Sequence, residues 1–244
     1  MDAEFWLERW RDGRTHFHQD RITPPLKKYW STLGLAADSR ILVPLCGKSL
    51  DMIWLADQGF DVLGVELSTV AVEQFFTENA LTPSVRTSAV GTHYRHDRIE
   101  IIAGDIFAVD KPTLATCTGV FDRAALVALP EALRARYVHH IYAQLPAHYQ
   151  GLLITLDYPQ TLMEGPPFCV ADAEVQTLYS GHSRATLLSR RDMLDKEPKF
   201  VERGLTKMDT LTYHLAGCVK AVHHSEDAVP SVEANKSNIS LTRP

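Results

Sequence analysis

The alternation of short apolar runs with helical patterns constrains the fold more than any other feature of this sequence. Five apolar runs of strand length occur, at residues 41–45, 62–65, 99–102, 119–121 and 152–156. Helical spacing of apolar side chains follows or separates them, at residues 49–58, 69–80 and 133–145. All-apolar strands that alternate with helices predict a doubly wound α/β fold, in which helices cover both faces of a mostly parallel sheet.

The two ends of the sequence depart from this alternation. Residues 2–12 predict a short helix, and residues 185–188 and 211–215 predict two strands that close the sheet as an antiparallel hairpin. Residues 217–244 are mostly polar and lack an apolar period, so we expect a flexible tail. We therefore expect a single domain over residues 1–216.

Composition narrows the class of protein further. The chain has 244 residues and a net charge of −5, which argues against sequence-independent binding of nucleic acid. No apolar run approaches the roughly 20 residues needed to cross a bilayer, and the acidic N-terminus does not resemble a signal peptide. The four cysteines and eleven histidines show no metal-ligand spacing. We expect a cytoplasmic protein with reduced thiols and no metal.

Candidate ligand contacts follow the first two strands. Gly47 stands at the first strand-to-helix turn, where a ligand could approach the backbone closely; a tight turn without a ligand is the alternative. Glu66 follows the second strand, 19 positions beyond Gly47. Its carboxylate could accept hydrogen bonds from two ribose hydroxyls, or could simply favour the N-terminus of the next helix.

Polar groups also follow the third and fourth strands. Asp105 and Ile106 could meet the edge and the face of an adenine ring, although Asp105 could equally be a turn or cap residue. Arg123 could hold a carboxylate bidentately, or could be a surface cation. The four strand ends, in order, match the successive parts of one adenosine ligand.

Two common nucleotide motifs are excluded. Gly47-Lys48-Ser49 imitates the end of a phosphate-binding loop, but that motif requires glycine where Leu42 stands. The dinucleotide fingerprint G-x-G-x-x-G fails as well, because it is reduced to Gly47 alone.

Several strings resemble the thiopurine S-methyltransferase family. They are Trp10 with residues 14–19, residues 26–30, 43–52, 64–68, 122–130 and 165–168. The string Pro-Leu-Cys-Gly-Lys-Ser-Leu-Asp at 44–51 is the most specific, and the similarity runs from about residue 4 to 215. The resemblance implies a class I S-adenosylmethionine (SAM)-dependent fold with a seven-stranded sheet, mostly parallel, whose last strand is antiparallel.

The resemblance also implies an activity and a set of contacts. It implies methyl transfer from SAM to the sulfur of aromatic or heterocyclic thiols, and a bacterial-type member could also accept selenium or tellurium species. It implies SAM contacts at Trp10, Leu45, Glu66 and Arg123, with Gly47, Asp105 and Ile106 close by. The polar tail has no counterpart in the family that we can place.

Methyl transfer from a sulfonium needs positioning more than covalent help, so we expect no catalytic residue. Cys46 is interpreted as a packed small residue rather than a nucleophile. We expect residues 1–30 to form a lid, on which Trp10 and Phe17 cover the cleft, with Phe17 and Arg123 contacting the acceptor; packing of the two rings in a satellite core is the alternative. The loop at residues 158–168 should supply much of the acceptor pocket, and the protein is expected to be a monomer.

Two alternative functions remain open on sequence alone. One is a SAM-dependent methyltransferase for another small acceptor, and the other is a SAM-binding module without catalysis. Methylation of nucleic-acid amines is disfavoured, because its Asp/Asn-Pro-Pro-Tyr/Phe motif would follow the fourth strand, where Asp122-Arg123-Ala124-Ala125 stands.

Overall fold

A single nine-stranded sheet organises the residues that the computed structural model describes, 3–196 and 198–218. The strands are β1 (Arg40–Pro44), β2 (Asp61–Glu66), β3 (Ser84–Ser88), β4 (Gly91–His96), β5 (Ile99–Ala103), β6 (Gly119–Arg123), β7 (Gln150–Asp157), β8 (Ser183–Asp192) and β9 (Asp209–Gly217). Their order across the sheet is β3-β4-β5-β2-β1-β6-β7-β9-β8. Part of the predicted tail, residues 219–244, lies outside the described residues.

The sheet confirms the predicted fold class and corrects the strand count. The five central strands, β5-β2-β1-β6-β7, pair in parallel, and β9 runs antiparallel to both β7 and β8, as predicted. The expectation of seven strands was wrong by two, because β3 and β4 add an antiparallel hairpin beside β5. Every residue of β3 is exposed, so no apolar pattern marks this hairpin in the sequence.

In the part of the chain that the structure describes, eight short α-helices accompany the sheet. They are α1 (Ala3–Arg11), α2 (Pro24–Tyr29), α3 (Asp51–Asp57), α4 (Thr69–Glu78), α5 (Lys111–Leu114), α6 (Glu131–Tyr142), α7 (Asp172–Tyr179) and α8 (Pro198–Glu202). Residues 24–33 form α2 followed by a 3-10 turn, and α8 lies between β8 and β9, where no helix was expected.

Alternate side chains of the central strands feed two separate cores. Ile41 and Val43 of β1 join a cluster with residues of α2, α3 and α4, whereas Leu42 joins a second cluster with residues of α5, α6 and α7. Successive side chains of a strand point to opposite faces, so both faces of an all-apolar strand must be covered. This explains why the central strands are continuous apolar runs. No helix of the described part of the chain is long and apolar enough to span a membrane.

The position of β1 in the sheet determines where a ligand can bind. β1 lies between β2 and β6. From β1 the chain first builds the half of the sheet that contains β2 and β5, and it then crosses to the other side of β1 to build the half that begins with β6. A sheet of this kind has its ligand crevice at the carboxyl ends of the strands that flank such a switch in direction. The fold therefore directs attention to the residues that follow β1, β2, β5 and β6.

A buried ion cluster anchors the added hairpin to the rest of the sheet. Glu100 of β5 is 7% exposed and accepts hydrogen bonds from Arg40 (2.6 Å) and Arg86 (2.8 Å), with the ring of His93 at 2.7 Å. Burial alone would raise the pKa of Glu100, but the hydrogen bond of His93 and the charge of Arg40 bring it below its ordinary value. The side chain thus joins β3 and β4 to β1 and β5.

Replacing Glu100 should destabilise the fold in a pH-dependent way. Because a lowered folded-state pKa stabilises the protein above the unfolded pKa, we expect Glu100→Gln to cost about 3 kcal/mol of unfolding free energy near neutral pH. The difference from wild type should shrink as the pH falls through the pKa of Glu100. Urea denaturation over a pH series measures it. Glu78→Gln, which breaks an exposed ion pair with Lys48, should cost no more than about 1 kcal/mol; equal losses would refute the anchoring role.

Candidate active site

One large cavity of about 1130 Å³ opens at the carboxyl ends of the central strands. Seven of the eight residues singled out from the sequence line it, namely Trp10, Phe17, Leu45, Glu66, Asp105, Ile106 and Arg123. The eighth, Gly47, lies directly behind the lining, where its amide N donates a hydrogen bond to Glu66. The cavity exceeds the roughly 300–1,000 Å³ usual for one small ligand, so it has room for a cofactor and an acceptor together.

The backbone is strained at the two strand ends that flank the switch in direction. Leu45, directly after β1, has φ of 47°, and Ala124, directly after β6, has φ of 62°. A residue with a side chain pays roughly 1–2 kcal/mol to adopt this left-handed conformation. Such strain persists where surrounding structure enforces it, and it concentrates at binding sites. Both residues line the cavity.

Glycine is required at position 47 for two reasons. Its φ is +54°, and a Cβ atom added there would lie 3.1 Å from a ring carbon of Trp10. The indole of Trp10 therefore rests almost directly on the backbone of the turn that follows β1. This close approach explains why one glycine stands at the position singled out from the sequence.

Glu66 is buried, and two backbone amides converge on its carboxylate. Oε2 accepts a hydrogen bond from the N–H of Gly47 and Oε1 accepts one from the N–H of Ser68, each at 2.8 Å. Burial raises the pKa of Glu66, and the amide hydrogen bonds oppose that rise. Each carboxylate oxygen can accept a second hydrogen bond. Since Glu66 also lines the cavity, it can accept from two ligand hydroxyls while it holds the turn.

The end of β5 presents a carboxylate beside an apolar side chain. Asp105 is exposed, and its Oδ1 accepts a hydrogen bond from the N–H of Phe107 at 2.9 Å. The cap role considered as its alternative is therefore real, and it leaves Oδ2 available at the cavity. Ile106 is 7% exposed and lies on the same wall, where it offers a flat apolar surface.

Arg123 reaches the cavity from the end of β6, which is held by a buried carboxylate. The neighbouring Asp122 is fully buried, and its Oδ2 accepts hydrogen bonds from the hydroxyls of Tyr137 and Tyr142 on α6, both at 2.8 Å. Burial raises the pKa of Asp122 to about 6, although the tyrosine hydrogen bonds act in the opposite direction. Sequence reasoning overlooked this support; its one signal is an aspartate at the end of an apolar strand.

The N-terminal segment covers part of the cavity with aromatic rings. Phe17 contacts Trp6 and Trp10 edge to face, with ring centroids 5.4 Å apart in both pairs. Trp10 is the buried residue of α1 and Phe17 is half-buried. Aromatic pairs of this geometry add packing energy beyond the area that they bury. The segment therefore lies over the strand ends, where a lid was expected.

The far side of the cavity contains residues that the sequence did not single out. Gly165, Pro166 and Pro167, which belong to the predicted acceptor loop at residues 158–168, line it. Arg191 of β8 and Arg203 just after α8 line it too, and no motif marks either residue. In sequence they are ordinary surface arginines, so only the three-dimensional arrangement identifies them.

The cavity is far more cationic than the chain as a whole. Its lining includes seven arginines and three carboxylates, those of Glu66, Asp105 and Glu202, whereas the whole chain has a net charge of −5. The arginines are Arg9, Arg14, Arg21, Arg123, Arg136, Arg191 and Arg203. A cleft lined by one sign of charge concentrates ligands of the opposite sign. The cavity therefore suits anionic ligands or ligands with a carboxylate.

Cys46 lines the cavity but has no property of a nucleophile. It is 7% exposed, and its Sγ would be 2.8 Å from a Cβ atom placed on Gly64. Burial, and then the charge of Glu66, raise the pKa of Cys46 well above its ordinary value, so the thiol stays protonated. Residues 3–196 and 198–218 contain no group of histidine, cysteine and carboxylate side chains suited to a metal ion.

The fold resembles that of SAM-dependent methyltransferases of solved structure. A Burkholderia thailandensis 1,6-didemethyltoxoflavin-N1-methyltransferase, solved with S-adenosylhomocysteine, superposes with a TM-score of 0.61 at 15% identity, covering 89% of this chain and 87% of that one. The N-methyltransferase NodS from Bradyrhizobium japonicum, also with S-adenosylhomocysteine, gives 0.58 at 13% identity, covering 89% and 99%. Identities this low show the fold alone, which is that of a Rossmann-like methyltransferase.

Sequence comparison identifies the family. The family model described as thiopurine S-methyltransferase matches residues 1–217. Thiopurine S-methyltransferases of Bordetella petrii and Xanthomonas axonopodis pv. citri are 65% and 55% identical over 215 residues, which is 88% of this chain and 98% and 99% of theirs. This chain belongs to the thiopurine S-methyltransferase family and is a SAM-dependent methyltransferase.

Alkylation tests whether the thiol of Cys46 is buried and protonated. We expect iodoacetamide at slightly alkaline pH to modify exposed Cys218 in the folded protein and to leave Cys46 and Cys117 intact, because burial raises the pKa of both thiols. All of these cysteines should react after unfolding in urea. Peptide mass spectrometry measures each site. Rapid modification of Cys46 in the folded enzyme would contradict the packing role.

Proposed function

We propose that this enzyme transfers the methyl group of SAM to the sulfur of aromatic and heterocyclic thiols, thiopurines included. The observation that carries the proposal is the convergence of four adjacent strand ends, those of β5, β2, β1 and β6, on one cavity. Membership of the thiopurine S-methyltransferase family supports the sulfur acceptor.

The groups on the cavity wall fit the parts of SAM in chain order. Glu66, with a free acceptor position on each oxygen, would hold the two ribose hydroxyls. Asp105 and Ile106 would meet the edge and face of adenine. The turn at Leu45 and Gly47, covered by Trp10, would hold the central part of the ligand. Arg123 would bind the carboxylate of SAM or steady an anion that develops on the acceptor.

The acceptor would occupy the remaining part of the cavity. Phe17 and Arg123 would contact it from the N-terminal segment and from β6, and the loop at Gly165, Pro166 and Pro167 would close the far wall. SAM, when bound, supplies a methyl group on a positively charged sulfur. The chain itself would orient the thiol in line, attract its ionised form with arginine charge, and exclude water with the aromatic rings of the lid.

We also propose the domain organisation, the localisation and the oligomeric state of the enzyme. We propose a single domain over residues 1–216, a lid at about 1–30, and a cytoplasmic monomer that acts on small molecules rather than nucleic acid. The net charge of −5 supports small-molecule acceptors rather than nucleic acid. The four unpaired cysteines support a reducing compartment such as the cytoplasm. The acceptor set extends to selenium and tellurium species, whose anions suit the cationic cavity.

Product analysis tests the proposed activity directly. The enzyme, incubated with SAM, should yield S-methylated products from 6-mercaptopurine and thiophenol, and methylated chalcogen species from selenite-derived compounds and tellurite, all detectable by mass spectrometry. SAM binding without any methylated product would indicate a binding module. Methylation confined to an amine or oxygen acceptor would indicate a different specificity.

Replacing Glu66 should weaken binding of SAM. We expect micromolar SAM affinity, and Glu66→Ala should raise the Kd by more than about tenfold, because hydrogen bonds to a charged group contribute roughly 1.5–3 kcal/mol each. Isothermal titration calorimetry measures the affinity. Glu73→Ala serves as a control, since Glu73 is exposed on α4 and lies outside the cavity lining. Unchanged affinity in the Glu66 variant would show that Glu66 does not bind SAM.

Deleting residues 1–18 should impair turnover more than folding. The deletion removes Trp10 and Phe17 from the cavity, whereas α1 buries only Trp10. We expect kcat/KM to fall on the order of 100-fold and Tm to fall by no more than about 10 °C. Deletion of residues 1–4 alone, which spares these rings, should leave turnover close to wild type. Normal activity of the longer deletion would refute the lid.

A further inference from the structure

His18 is a cavity residue to which no role has yet been given. It lies on the N-terminal segment directly after Phe17, is half-buried, and lines the cavity. Its backbone N–H donates to Thr15, but its imidazole makes no hydrogen bond within residues 3–196 and 198–218. An imidazole with both nitrogens uncommitted at a ligand cavity can exchange a proton with the ligand.

The surroundings of His18 favour its neutral form. Burial and then the charge of Lys48 lower its pKa from the ordinary value, and Arg123 acts in the same direction. Glu78 and Asp20 act in the opposite direction, and the carboxylate of Glu78 is paired with Lys48 at 2.6 Å. The net effect is a lower pKa, so the ring is unprotonated near neutral pH and can accept a proton.

Three other titratable groups of the cavity are held by hydrogen bonds or already protonated. Both oxygens of Glu66 hold backbone amides, and Asp105 caps the turn at Phe107. The thiol of Cys46 is protonated already and cannot accept a proton. His18, by contrast, lies beside Phe17 on the proposed acceptor side and close to Arg123 on the proposed SAM side.

We propose that His18 is the general base for acceptor thiols whose pKa lies above neutrality. This assignment rests on the proposed function and extends it to weakly acidic acceptors. The thiol proton passes to an imidazole nitrogen as a sulfur lone pair forms the new sulfur–carbon bond. The electron pair of the broken carbon–sulfonium bond remains on the departing sulfur, which becomes a neutral thioether. The half-exposed ring then releases its proton to water.

An acidic thiol does not need this base. Such a thiol is already ionised in solution, and the arginine-lined cavity attracts it as an anion. A weakly acidic thiol arrives neutral, so its nucleophilic form must be produced in the site. Replacing His18 should therefore slow methylation of weakly acidic thiols and spare acidic ones. Replacing a residue that only supported the lid would slow methylation of both classes equally.

The pH dependence of the wild-type enzyme is the first test. The acceptors are benzyl mercaptan, a weakly acidic thiol, and pentafluorothiophenol, which is ionised at neutral pH. With His18 as base, kcat/KM for benzyl mercaptan should be nearly level between about pH 7 and 8.5, because the neutral thiol and neutral imidazole are the reactants. A rise of about tenfold per pH unit, which follows the thiolate fraction, would overturn the proposal.

The second test is the variant His18→Gln. We expect kcat/KM for benzyl mercaptan at neutral pH to fall by about 100-fold and the pH profile to become steep, while pentafluorothiophenol changes by no more than about twofold. His148→Gln, a matched change at an exposed histidine outside the cavity lining, should leave both acceptors unaffected. Titration of S-adenosylhomocysteine into each variant should give wild-type affinity, which checks the cofactor site independently of turnover.

The outcomes separate the base from the proposed function. If wild type methylates both thiols and His18→Gln loses neither or both equally, the base assignment is wrong and the methyltransferase function stands. If wild type methylates neither thiol while it binds S-adenosylhomocysteine, the proposed sulfur acceptor itself is wrong. An equal loss for benzyl mercaptan in His148→Gln would also overturn the assignment, since the effect would not be specific to His18.

Discussion

The carboxylate of Glu66 is the interaction on which the ligand end of this sheet depends. It joins two loops that are distant in sequence, the turn after β1 through Gly47 and the start of α4 through Ser68. A buried carboxylate is costly unless charge-assisted hydrogen bonds satisfy it, and two backbone amides do so here. The turn that Glu66 fixes also supports the indole of Trp10, because Gly47 leaves room for the ring. One side chain thereby positions both the turn after β1 and the indole that packs on it.

The same edge of the sheet stores strain, and the structure shows what maintains it. Leu45 and Ala124, directly after the adjacent strands β1 and β6, adopt left-handed backbone conformations at the switch in direction. On the β6 side, Asp122 accepts two tyrosine hydroxyls of α6, so the strand cannot relax without breaking buried hydrogen bonds. On the β1 side, Cys46 donates its backbone N–H to Val65 at 3.0 Å, which ties the turn to β2. Strained turns held from beneath in this manner present backbone and side chains to a ligand in a fixed geometry.

The sequence predicted the parts of the structure that depend on local pattern and missed those that depend on long-range contact. Continuous apolar runs identified the five central strands because both faces of each are buried. The hairpin of β3 and β4 escaped notice because it buries little beyond His93, whose partner Glu100 comes from another strand. Glu66 was found because its place after a strand is a property of the sequence. Arg191 and Arg203 could not be found, since their approach to the cavity depends on how β8 and α8 fold back over it.

The positive charge of the cavity affects both attraction of ionised thiols and deprotonation of neutral thiols by His18. Seven arginines raise the potential of a site in a chain whose net charge is −5, so thiolates are drawn from solution toward it. Burial is the main cause that lowers the pKa of His18, and the positive charges of Lys48 and Arg123 lower it further. The cations that attract an ionised acceptor therefore keep the base ready for a neutral one. Removing cationic charge near His18 would weaken attraction of the anion and raise the pKa of the base together, so the two properties cannot be tuned independently at this site.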